Sequence, residues 1–214
     1  MAAPTTHIVL TEKLFDLQLS HFKKSEFMVG TSFPDIRYLG VISREKTHFN
    51  SFCIQDVVET EDSFMAGLKF HLLVDRVREQ FMKNNDAYSL FPKSPYQTQA
   101  VKFFEDQQLW KKINHWSKII DYFNHISEGE LQYGLEIDDI VRWHKTLQSY
   151  LAQSPVEATI AQFVTDIGQP ESMSTEIIEV IKKSEQHRAK ALVEKFYSEF
   201  NLLISQEASS IQLE

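Results

Sequence analysis

Residues 64–82, FMAGLKFHLLVDRVREQFM, are apolar enough to form a buried helix, yet they carry His71 and Asp75. Side chains four residues apart lie one above the other on a helix face, so the imidazole and the carboxylate meet. A carboxylate inside an apolar helix needs a partner or a metal, and the imidazole beside it points to a metal edge. Gly67 lies four residues before His71 on the same face and leaves room for another backbone or a ligand. Any fold for this chain must wrap this rod and bring other donors to it.

The rest of the pattern is helical. Glycine and proline number only six each in 214 residues, too few for turn-rich β architectures. The spacing predicts a first helix capped by Thr5 or Thr6, with His7 at its mouth and Ile8, Leu10, Leu14, Phe15, Leu17 and Phe22 buried. Residues 27–29 read as a short helical turn ended by Gly30. Pro34 biases Phe33 away from helix, so 31–38 read as an irregular connection carrying Asp35, Arg37 and Tyr38. A short helix is expected at 52–60, with Asp62 or Ser63 capping the central helix. After a break at 84–95, helices are expected at 96–107, 110–126, 137–153 and 156–167. A long last helix at 174–203 carries an apolar stripe, and the polar tail 205–214 reads as frayed. The fold class is therefore all-α: one globular multi-helix domain over 1–214, built around a buried metal-binding helix. Its metal-site region would span 5–82 and its covering helices 96–204.

Bulk properties exclude several functions. The net charge is −8 with no basic block, so binding along a nucleic-acid backbone is not expected. The single cysteine, Cys53, allows no internal disulfide and fits a reducing compartment. No run reaches the roughly 18 continuous apolar residues of a membrane span, and no export signal opens the chain. A cytoplasmic protein without a transmembrane segment is the expectation; the oligomeric state is left open.

The candidate ligands are His7, Asp35, His48, His71 and Asp75. Imidazole nitrogen and carboxylate oxygen both suit Zn²⁺ and similar ions, and a carboxylate can bridge two of them. Two ions about 3.5–4 Å apart are a common device for phosphate-ester hydrolysis. Each residue also has a structural reading. His71 alone suits a hydrogen-bonded core histidine, Asp35 a helix cap, and His7 a plain helix-start residue. Arg37 and Arg44 face a substrate phosphate or else pair with Asp35 or Glu45, and Tyr38 lines the pocket or packs. His21, His144 and His187 read as surface or packing residues, and Trp110, Trp116 and Trp143 as core.

HIVLTEKLF, FMVGTSFPDIRYLG, THF and FMAGLKFHLLVD together resemble the zinc-dependent phospholipase C and P1 nuclease superfamily, over residues 5–82. The resemblance implies an all-α fold. It implies one zinc on Asp35, His48, His71 and Asp75, and a second ion shared by Asp75 and His7, with Mn²⁺ or another divalent ion as a substitute. It implies that Asp35 orients or deprotonates the attacking water, and that the substrate is a small phosphoester or phospholipid head group. The superfamily's third-site histidines are missing, since Arg76, Val77, Arg78 and Glu79 follow Asp75. That departure implies a site with one or two metals, or one that has lost activity. The expected function is a metal-dependent phosphoester hydrolase. The alternative is a catalytically inactive helical interaction protein that keeps the fold. An unrelated phosphohydrolase of the His-Asp type is a third possibility, against which stands the absence of an adjacent His-Asp dipeptide.

Overall fold

The structure, a computed structural model, describes residues 3–49 and 51–210. Among them there are twelve α-helices and no strand, so the chain is all-α. The helices are α1 (Pro4–Leu14), α2 (Lys24–Ser32), α3 (Arg44–Thr47), α4 (Ile54–Val58), α5 (Ser63–Asn84), α6 (Gln97–Leu109), α7 (Trp116–Asp121), α8 (Glu128–Leu131), α9 (Ile137–Leu151), α10 (Glu157–Asp166), α11 (Glu171–Lys182) and α12 (Gln186–Ser210). No described helix is long and apolar enough to cross a membrane.

The central rod is α5, started by Asp62, whose carboxylate accepts the Met65 N–H at 2.7 Å. Its two sides feed different apolar clusters. Phe64, Leu68 and Leu72 join one with Phe33, Phe103 and Trp143, whereas Phe70, Phe81 and Met82 join another with Leu10, Phe27, Phe196 and Phe200. Only a narrow stripe, with Lys69, Arg76, Gln80 and Lys83, stays partly exposed, which is why apolar residues recur around most of the helix.

The most extensive helix pair is α2 on α5. A Cβ on Gly67 would overlap the Phe27 carbonyl oxygen, and one on Gly30 would overlap that of Phe64. The two glycines are therefore the crossing point of the helices. The room expected beside Gly67 is taken by another backbone, and Gly30 sits within α2 rather than ending it.

Several boundaries differ from the sequence expectation. Residues 33–39 form a 3₁₀ helix instead of an irregular connection, because Pro34 occupies its first turn, where no N–H is required. Gly40, at φ +76°, ends it. The stretch 110–126 breaks into α7 flanked by 3₁₀ turns, with Trp110 stacked on Trp116 at 5.7 Å. The last helix is two helices, because the Glu185 N–H leaves the helical ladder and donates to the Leu90 carbonyl at 2.8 Å. The tail expected to fray continues α12 through Ser210, and 211–214 lie outside the described residues.

Candidate metal centre

Four separate segments meet around Asp75. His7 comes from the first turns of α1, Asp35 from the 3₁₀ helix, His48 from the residue closing α3, and His71 from α5 itself. Asp75 Oδ1 lies 3.3 Å from His7 Nε2. Its Oδ2 lies 3.5 Å from His71 Nε2 and 3.6 Å from His48 Nε2. The His7 and His71 rings stack at 3.8 Å, and His48 meets His71 edge-on at 5.4 Å. The carboxylate thus faces one imidazole with one oxygen and two with the other, the arrangement of a bridging ligand.

These groups can hold a metal ion. Candidate ligand atoms of His7, His71 and Asp75 lie within 4.8 Å of one another, as do those of Asp35, His48 and His71. Tetrahedral zinc with arms near 2.1 Å has ligand–ligand edges of about 3.4 Å. The separations around Asp75 bracket that edge, whereas 3.5 and 3.6 Å are too long for good hydrogen bonds. Both ring nitrogens of His7, and the Nε2 atoms of His48 and His71, are buried without a hydrogen-bond partner. Buried polar atoms are normally satisfied, so this concentration of unsatisfied donors and acceptors asks for an ion.

The second layer aims the rings. His71 Nδ1 lies 2.8 Å from the Thr31 carbonyl. A carbonyl only accepts, so Nδ1 carries the proton and the Nε2 lone pair faces Asp75. That carbonyl lies at the end of α2; the neighbouring Ser32 carbonyl is taken by Trp143 Nε1 at 3.2 Å. His48 Nδ1 lies 2.9 Å from Thr47 Oγ1, which itself donates to the Arg44 carbonyl. The Thr47 hydroxyl therefore accepts from Nδ1, and His48 too presents Nε2 as a lone pair. Helix α1 is fixed from a distance. Asp106 of α6 accepts the Thr5 N–H at 3.0 Å, the Thr6 N–H at 2.8 Å, the Thr6 hydroxyl at 2.6 Å and the Tyr150 hydroxyl at 2.9 Å. Ala3, rather than either threonine, is the residue that precedes the helix, so the cap comes from Asp106, whose carboxyl burial pushes up to about 7.

Electrostatics favour the ligand forms of His7, His48 and Asp75, and the protonated form of His71 while no ion is bound. Burial and the neighbouring His71 hold His7 down at about 4, despite Asp75. Burial likewise lowers His48. Burial opposes a charge on Asp75, but the His71, His48 and His7 rings outweigh it and hold its carboxyl well below the usual range. Burial opposes a proton on His71 as well, yet Asp75, Asp35 and the Thr31 carbonyl together raise its pKa.

Asp35 is buried, and Arg37 Nη2 lies 3.5 Å from its Oδ1, with the guanidinium over the Tyr38 ring at 4.3 Å. Arg37 and Tyr38 line a cavity of about 380 Å³ beside the centre. Arg44 is exposed on α3 and is not among the side chains lining that cavity. His144 is a packing residue, paired with Glu130 at 2.8 Å. Sequence reading passed over Lys102, Glu105 and Asp106, three buried charged residues of α6. The signal was present, because KFFED places charges in an apolar helix just as HLLVD does.

Comparison of the chain with protein-family models, curated proteins and solved structures finds no match.

Proposed function

We propose that the chain is a metal-dependent phosphoester hydrolase working through a His/Asp zinc centre of one or two ions. The observation that carries this reading is the convergence of His7, His48 and His71 on the two oxygens of Asp75 with imidazole nitrogens otherwise unsatisfied. The resemblance of residues 5–82 to the zinc-dependent phospholipase C and P1 nuclease superfamily supports the same chemistry.

When bound, a divalent ion supplies an activated water at neutral pH and neutralises charge on the phosphoryl group. The chain's own residues do the rest. Neutral His7 and His48 would offer lone pairs to an ion, and Asp75 would offer its carboxylate oxygens. Asp35, held by Arg37, orients the attacking water and takes its proton. Arg37 steadies the phosphoryl oxygens opposite.

Zinc-loaded protein should hydrolyse bis(p-nitrophenyl) phosphate. Asp35→Asn should lower turnover by about 10²-fold or more, and His71→Ala should lose both metal and turnover. Metal uptake with no hydrolysis above the His71→Ala background would favour the inactive helical protein instead.

A further inference from the structure

Lys102 is the one feature near the centre that the hydrolase reading leaves without a task. It sits on α6 at 7 % exposure, and no described residue gives it a hydrogen bond or ion pair. Its stem is packed in the fold while its ammonium keeps access to solvent at the cavity, so the charge stands there without a protein partner and can meet an anion. Burial pushes its pKa below the ordinary lysine value, while Asp35 and Asp75 pull the other way, which puts it within electrostatic range of the centre.

Lys102 opens into the 380 Å³ cavity, a volume in the range of small-molecule sites. One wall begins at Ala3 and Pro4, which start the helix bearing His7; another is Arg37 and Tyr38, just after Asp35. Most of the remaining lining is apolar and includes Phe103, Phe163, Val164, Ile167 and Met173. No aspartate or glutamate lines the cavity, and two cationic side chains do. A cavity lined by an unpaired ammonium together with aromatic and aliphatic side chains suits an anion with an apolar body.

We propose that this cavity is the subsite for a small organic phosphate. The Lys102 ammonium binds a phosphate oxygen, and the apolar organic group lies against Phe103, Phe163 and Ile167. The proposal rests on the phosphoester reading and narrows it to esters with an apolar group small enough for the cavity.

The test is calorimetric titration of the full-length protein, zinc-loaded and metal-free, with phenylphosphonate and with inorganic phosphate. Phenylphosphonate is expected to bind at least tenfold more tightly than phosphate. Lys102→Met is expected to weaken phenylphosphonate at least tenfold while zinc content stays unchanged and Tm is equal or higher, and Lys102→Arg is expected to restore part of the affinity. Unchanged affinity in Lys102→Met, or phenylphosphonate binding no tighter than phosphate, overturns the proposal. The metal-free arm keeps the two readings apart: a chain that takes no zinc sinks the centre, while phenylphosphonate binding still decides the cavity.

Discussion

Two buried polar networks share α5, one turn apart, and they are built on opposite terms. Around Arg78 every charge has a protein partner. Its Nε and Nη2 donate to Glu105 Oε2 at 2.9 and 2.6 Å, and its Nη1 donates to the Tyr88 hydroxyl at 3.0 Å and to Glu79 at 3.2 Å. Around Asp75 three imidazoles approach without hydrogen bonds of good length, and their inward nitrogens stay unsatisfied. The fold thus has the means to satisfy a buried cation on this helix, whereas the imidazole nitrogens of His7, His48 and His71 beside Asp75 lack hydrogen-bond partners. The complete network is a structural brace; the incomplete one leaves groups positioned to hold a metal ion.

The strongest way to break the comparison is to unbalance the brace. Glu105→Ala leaves Arg78 charged and buried, and should cost about 3–5 kcal/mol in urea unfolding with zinc content unchanged. Loss of zinc in that variant would mean that the two networks are one.

The next effect is acid sensitivity of the metal-free protein. His7 has a folded pKa of about 4 against an ordinary value of 6.5, so it is lowered. The unfolded chain takes its proton first, and the stability this group contributes above pH 6.5 is lost as pH falls from 6.5 through about 4. The loss should reach about 3 kcal/mol at most, and His7→Asn should flatten the pH dependence of the unfolding midpoint. His71 is raised and acts in the opposite sense, its contribution present below 6.5 and lost above. A pH profile unchanged in His7→Asn would remove His7 from the buried cluster.

Gly67→Ala should cost about 1–3 kcal/mol by forcing α2 off α5, and should weaken zinc binding too, since Thr31 on α2 aims His71. Arg44→Ala should change stability by less than about 0.5 kcal/mol and leave metal uptake and phosphoester turnover untouched, because that side chain is exposed.

The same contrast explains what could be read from the sequence. The rod at 64–82 was legible because apolar residues cover most of its circumference, and the His71–Asp75 pair because helical spacing alone brings the two together. Gly67 was legible as a close approach, though not as one half of a pair with Gly30, because helix crossing is a tertiary fact. Partners about a hundred residues apart left no periodic trace. Asp106 capping Thr5 and Thr6 joins separations of 101 and 100 residues, and Arg78 finds Glu105 across a break. Pro34 misled because the same residue that ends one helix can start another, here a 3₁₀ turn that carries Asp35 into the cluster.

Titration of zinc into the metal-free protein, followed by calorimetry and by elemental analysis of the product, tests the centre most directly. Uptake of one or two ions per chain in the wild type, with its thermal stabilisation abolished in His71→Ala, is the predicted result. A correctly folded wild-type chain that takes up no zinc, manganese or other divalent ion would contradict it.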